Sequence, residues 1–350
     1  MTQKKHYSDE HRHIIGISFM LLNAVAMAVI YAVAKDLTKE ISSNMVVFLY
    51  KFGILLFALP WCLNEGFKGL KSDRILLHAS RGFLSICGSL CLYYAIKHIE
   101  LVDITAIGYL EQVILVIIGM AYFKEDVSFA KILGISLSFL GAIFIVYPEL
   151  VDFSSFNLPK FIDPNTQETG FNPYYIFVFL SIGFWATNCT VIKILGKTEK
   201  TKVQLFYVLL FSSIISFPMA FLKWQEVTTF MSLPIKTPVE FANIHELGLK
   251  VEHIKYIVVL AVCYFIHSIA FFKALKYADL STVIPFDYSR LVFTGVLGYL
   301  VFSEIPSMGS YIGYLLIVSS GVYLVRAEHK RRKKLKASEV IKIEEEYEHA

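Results

Sequence analysis

Charge is scarce in this chain. Asp, Glu, Lys and Arg make up 18% of its 350 residues, while 56% are hydrophobic and 15% aromatic. An ordinary soluble domain is about a quarter charged, so the composition excludes a surface solvated on all sides. The formal net charge of +4 is too small for a nucleic-acid binder. Cysteine is sparse too, and Cys62, Cys87, Cys91, Cys189 and Cys263 all fall inside apolar runs. That placement argues against a disulfide framework or a metal cage and leaves them as small packing groups. Also missing are a Walker A or Gly-rich phosphate loop, His-Glu-x-x-His, Gly-x-Ser-x-Gly and intramembrane aspartates at protease spacing. Direct ATP coupling has no support and no cofactor is expected. An intramembrane enzyme is the rival from another class, beside a channel or a lipid-scavenging scaffold.

What abounds is long apolar sequence. A spanning helix needs roughly 20 mostly apolar residues. Spans are predicted near Ile14 to Ala34, Met45 to Leu63, Ile75 to Ile96, Leu101 to Phe123 and Val127 to Tyr147. Five more follow near Tyr174 to Leu195, Val203 to Leu222, Ile254 to Lys276, Leu280 to Phe302 and Met308 to Val325. The expected division is a terminal segment 1–13, a five-helix unit 14–147, an external loop 148–173, a second five-helix unit 174–325 with an external loop 223–253, and a tail 326–350, basic and then acidic. The first run is too long for a signal-peptide core and lacks a small-residue cleavage site, so it is read as a retained span. Lys68, Lys71, Arg74, Lys124, Lys131, Lys197, Lys200 and Lys202 occupy breaks of one parity, which the basic tail shares. Because Lys and Arg stay on the cytoplasmic side, both termini are expected in the cytoplasm and the protein in the inner (cytoplasmic) membrane. The tail then serves as a topology anchor or recruits anionic lipid.

The two units echo each other. With a constant shift of 179 positions, Ala95 falls on Ala274, Lys97 on Lys276, Leu101 on Leu280, Tyr109 on Tyr288, Gly119 on Gly298, Phe123 on Phe302, Glu125 on Glu304 and Gly134 on Gly313. A smaller shift brings Ala28 onto Ala186, Val33 onto Val191 and Lys35 onto Lys193. Each unit crosses the bilayer an odd number of times, so the second is inverted relative to the first. The expected fold is an all-α integral membrane protein of about ten transmembrane helices, arranged as two inverted five-helix repeats. That architecture recurs in secondary transporters, where exchanging the conformations of the halves alternates access.

The stretch Ala95-Ile-Lys-His-Ile, then Phe123-Lys-Glu-Asp-Val-Ser with Gly134, and its echo Ala274-Leu-Lys-Tyr-Ala, then Phe302-Ser-Glu-Ile-Pro-Ser with Gly313, resemble the two EamA repeats of the drug/metabolite transporter superfamily. Trp185-Ala-Thr-Asn188 with Lys193 is similar to the motif opening the second repeat, and Ala79-Ser-Arg-Gly82 to the start of span three. The resemblance covers essentially all the spans and extends to S-adenosylmethionine uptake carriers of intracellular bacteria and to amino-acid-metabolite exporters. It implies a secondary transporter of a small polar metabolite, with an amino acid or a derivative such as S-adenosylmethionine ahead of a nucleotide sugar or other organic anion. Two departures stand out: Pro285 supplies the proline usual in span nine, but its counterpart in span four is Ala106, and the first half has Met27-Ala-Val-Ile30 in place of Trp-x-x-Asn.

Ionisable groups inside a bilayer cost about 2.5–3.5 kcal/mol each on insertion scales, so each needs a partner or a wet cavity. The candidates are Lys51, Arg81, Glu111, His267, Asp287 and Arg290. Glu111 and Arg290 are equivalent under the larger shift yet opposite in charge. They either line a central substrate site, taking an ammonium or sulfonium and a carboxylate or phosphate respectively, or lock the halves as a salt bridge. Asp287 and Arg290, three residues apart, are placed to pair. Lys51 and Arg81 either snorkel to headgroups or contact an anionic substrate. Glu111, Asp287 and His267 are the proton-coupling candidates, Tyr50, Tyr109 and Tyr288 the aromatic ones, Asn23 and Asn188 the interhelical hydrogen bonders, and Pro285 a hinge or a plain kink. The partners expected are a small-molecule substrate and membrane lipid, without nucleic acid and with a homodimer left open.

Overall fold

The structure is a computed structural model, described here for residues 9–64, 66–121, 129–147, 172–195, 198–228, 234–241, 250–277, 286–324, 326–327 and 330. The apolar runs become helices because only a helix satisfies its own backbone hydrogen bonds in hydrocarbon. They are α1 (Asp9–Glu40), α2 (Ser43–Leu63), α3 (Ile75–Ala95), α4 (Leu101–Gly108), α5 (Leu110–Ala121), α6 (Phe129–Val146), α7 (Tyr175–Leu195), α8 (Thr201–Ala220), α9 (Val251–Tyr277), α10 (Ser289–Phe302) and α11 (Met308–Leu324). A short 3-10 turn, Phe67–Leu70, joins α2 to α3. Six of the described helices are long and apolar enough to cross a membrane: α1, α2, α3, α7, α8 and α9. The outer faces of these and the shorter helices carry exposed apolar side chains such as Leu76 of α3, Leu300 of α10 and Leu315 of α11, which suits a lipid solvent.

Two expectations change. The fourth span is not one helix, because the ladder breaks at Tyr109, whose N–H tightens onto Ala106 O at 3.1 Å while Gln112 N–H reaches back to Tyr109 O. Span nine has the equivalent break: residues 286–287 are helical, Tyr288 is a turn, and Leu291 N–H bonds Tyr288 O at 3.1 Å. The fourth-span break forms without a proline, with Ala106 in its place. Pro285 and the start of span nine lie outside the described residues, as do most of the loop 148–173 and most of the tail. The second correction concerns the segment 223–253, expected as a loop in an all-α fold. It begins with an antiparallel hairpin, β1 (Leu222–Thr228) with β2 (Pro234–Phe241). Pro234 opens its strand and Pro238 sits at the register shift, positions where a missing N–H disrupts no ladder.

The helices pack by a two-fold rule in which each span's equivalent lies five spans on. α1 packs on α9 and α7 on α3; α3 packs on α8 and α9 on α2; α1 packs on α10 and α7 on α5. The self-equivalent pair α2 with α8 also touches, and α4 packs on α10. The rule holds at single residues. A Cβ on Gly82 would strike Phe211, and one on Gly53 would meet Ala261; these contacts exchange under shifts of 179 for the third spans and 158 for the second. Pro60 and Pro218 lie at equivalent positions inside α2 and α8. Gly134 meets Leu324 as Gly313 meets Ile145. With five crossings per half, such an axis lies in the membrane plane, and the repeats are inverted.

Candidate functional site

Both broken spans bring their turns to the seam between the halves. Tyr109 and Tyr288, two-fold equivalents, are buried against each other edge to face at 4.5 Å. Tyr109 O–H donates to Asp287 O at 3.1 Å and Tyr288 O–H to Gln112 Oε1 at 3.2 Å. Around them gather the groups singled out by charge. Asp287 takes Asn23 Nδ2 of α1 at 3.1 Å and lies 3.5 Å from Arg290 Nη2, and the Arg290 guanidinium covers the Tyr109 ring at 4.9 Å.

Arg290 is thus paired within its own span, across the break at Tyr288. The proposed Glu111–Arg290 lock is absent: Arg290 pairs with Asp287, and Glu111 accepts the Cys189 thiol at 3.2 Å and has no salt bridge among the described residues. Arg290 remains within electrostatic reach of Glu111, Tyr31 and His267. Three buried atoms here, Asn23 Oδ1, Arg290 Nε and His267 Nδ1, make no hydrogen bond among the described residues. Buried polar atoms are paired in the great majority of cases, so a cluster of exceptions marks a place where a polar molecule is at home.

Lys51 and Arg81 do not snorkel. Lys51 Nζ donates to Ser85 Oγ at 2.8 Å, while Arg81 bonds Asn188 Oδ1 and Gln204 O, both at 3.1 Å. Asn23 and Asn188 are both interhelical hydrogen bonders, as expected. Tyr50 stacks between Tyr93 and Tyr264, at 5.2 and 4.9 Å, and bonds Ser89 at 2.7 Å, which makes it a packed wall.

One cluster escaped the reading by charge. At the end of the seam Lys35, nearly buried, pairs with Glu304 of the other half and donates to Ile99 O at 2.5 Å, and Glu304 Oε2 accepts the N–H of Leu101 at 2.8 Å. Beside it Asp103 receives Tyr175 and Tyr314, each at 2.5 Å. The signal was in the repeat, which singles out Lys35 and Glu304; of their equivalents, the Lys193 side chain and Glu125 both lie outside the described residues. Asp103 lay unmarked near a predicted span end. The opposite end is tied by Ser72 Oγ donating to Glu199 Oε1 at 2.7 Å.

Fold and site together define a multi-pass helical membrane protein whose inverted halves meet at a polar seam between two broken helices. The family model of the EamA-like transporter family matches residues 14–147 and 172–326, and the chain belongs to that family. Among its relatives, the S-adenosylmethionine uptake transporter of Rickettsia prowazekii (strain Madrid E) is 20% identical over 91% of this chain and 95% of its own. A riboflavin transporter of Brucella anthropi is 22% identical over 82% and 89%, and the pseudopaline exporter CntI of Pseudomonas aeruginosa is 22% identical over 89% and 96%. A solved crystal structure at 17% identity superposes with a TM-score of 0.53 over 93% of this chain and 99% of that one, a likeness of fold. Family and relatives are membrane transporters with small-molecule substrates rather than enzymes.

Proposed function

We propose that the protein is an alternating-access carrier of a small amphoteric metabolite, an amino acid or a derivative such as S-adenosylmethionine, in the inner membrane with both termini cytoplasmic. The observation that carries this reading is Glu111. It is a carboxylate well inside a span, without an ion pair among the described residues and beside the cluster of unpartnered polar atoms at Arg290, Asn23 and His267. It is the acceptor available for an ammonium or sulfonium group. The relatives named for S-adenosylmethionine uptake support the substrate class, and the basic breaks support the orientation. Two halves related by an in-plane axis support rocking about a fixed central site.

Counterflow in proteoliposomes tests it. Labelled S-adenosylmethionine or an amino acid should enter against unlabelled internal substrate, and Glu111→Gln should slow the exchange at least about tenfold, as expected for a lost charged hydrogen bond of ~1.5–3 kcal/mol. Unchanged exchange in well-folded Glu111→Gln protein removes Glu111 from the site. No counterflow with any amphoteric substrate overturns the reading. An organic-anion exchanger is the second reading, favoured by the cations Lys51 and Arg81.

A further inference from the structure

The seam contains two basic side chains, Lys51 and Arg81, that have no acidic partner among the described residues. Lys51 and Arg81 each stand about 9 Å or more from either end of their helices at 1.5 Å per residue. Lys51 bonds Ser85, which lies one helical turn from Arg81 on the same face of α3. Their hydrogen bonds go to neutral groups only: Ser85, Asn188 and Gln204. Two like charges away from water are costly unless something negative sits between them. The interior cations Arg290 and Lys35 already have Asp287 and Glu304.

The two-fold axis sharpens this. The five residues Lys51, Arg81, Ser85, Asn188 and Gln204 have as equivalents Leu209, Leu260, Tyr264, Ile30 and Val46. The nest draws on both halves and is polar and cationic on one side of the axis, whereas the equivalent positions on the other side hold four aliphatic residues and Tyr264, although the helices that carry the two sets are related by the same axis. A device needed for packing alone would have no reason to break the symmetry in every member. Glu111 lies across the same turn of α7, since Asn188 holds Arg81 while the next residue, Cys189, holds Glu111.

We propose that Lys51 and Arg81, with Ser85 and Asn188, form an oxyanion subsite that holds the carboxylate or phosphate end of the substrate, and that Arg290 does not. This deepens the carrier reading and rests on it for the word substrate. Glu111 takes the cationic end, so the substrate lies in one fixed polarity, its anion toward α2 and α3.

Thermal unfolding of the purified full chain in detergent tests the subsite without knowledge of the substrate. Acetate and inorganic phosphate, each at matched ionic strength against chloride, are added to the wild type, to Lys51→Met/Arg81→Met and to Arg290→Gln. At least one oxyanion should raise the Tm of the wild type and of Arg290→Gln by about 2 °C or more and leave the double variant unmoved. The anion that acts says whether the group is carboxylate or phosphate. The double variant without ligand should melt no lower than the wild type, because it removes two basic groups that lack an acidic partner. The proposal falls if neither oxyanion stabilises the wild type, if the double variant responds equally, or if Arg290→Gln alone abolishes the response. A response through Lys51 and Arg81 in a protein that shows no counterflow would keep the subsite and remove the carrier reading; counterflow that survives the double variant unchanged would do the reverse.

Discussion

Asp287 holds two neighbours at once, the amide of Asn23 and the guanidinium of Arg290. Replacing it by Asn leaves a largely buried cation without its counter-charge, which costs about 3 kcal/mol where a buried pair is broken. Asp287→Asn should therefore lower the Tm in detergent, and Asp287→Asn/Arg290→Gln should recover most of the loss; equal melting of wild type and single variant would remove the pair as a structural element. Glu100 makes a different prediction. One of its carboxylate oxygens is buried without a hydrogen bond. Burial first, then the carboxylates of Asp103 and Glu304, push its dissociation up to about 7 against the pull of Lys35. The folded protein keeps this proton in a range where an unfolded chain, titrating near 4.5, has released it. The contribution to stability is therefore full at low pH and lost as pH rises through about 7. Glu100→Gln should flatten the decline in Tm from pH 5 to pH 8, measured by differential scanning fluorimetry.

The ends and crossings of helices set where these side chains go. α10 stops at Ser303, which turns left-handed at φ 57° while Glu304 N–H bonds Gly298 O at 3.1 Å. This is the glycine-type helix stop occupied by a residue with a side chain, and it aims Glu304 back at Lys35. Ser303→Gly should stabilise by about 0.5–1 kcal/mol in denaturant or thermal unfolding, through relief of that left-handed backbone. α6 and α11 approach so closely that a Cβ on Gly313 would meet Gly141 O at 2.5 Å, a backbone atom that cannot swing aside. Gly313→Ala should force the pair apart and cost about 1–3 kcal/mol, read as a lower Tm and a poorer monodisperse yield.

Across the whole molecule, the ties at the two ends fix which loops share a face. Ser72 meets Glu199 at one end, while His253 meets Glu40 at 2.9 Å and Lys35 meets Glu304 at the other. Cysteines placed at Arg74 and Lys200 should therefore label from the same side of the membrane, and one at Lys250 from the opposite side. With the orientation proposed, an impermeant maleimide added to whole cells labels only the last. Labelling of Arg74→Cys and Lys200→Cys from different faces would sink the inverted fold.

The apolar spans, their outer faces and the duplication were legible along the chain, because lipid imposes on each segment alone the need for an apolar surface and internally paired backbone. The shift aligns Tyr109 with Tyr288, where the two helix breaks fall, but the sequence reading placed no break at either tyrosine. The partners of the charges were not legible. Whether Arg290 meets Glu111 or Asp287, whether Lys51 and Arg81 face lipid or protein, and that Lys35 reaches Glu304, more than 260 residues on, depend on how helices distant in sequence rotate against one another. Interior charges are settled by distances of a few ångströms, and such distances exist only after the halves have packed.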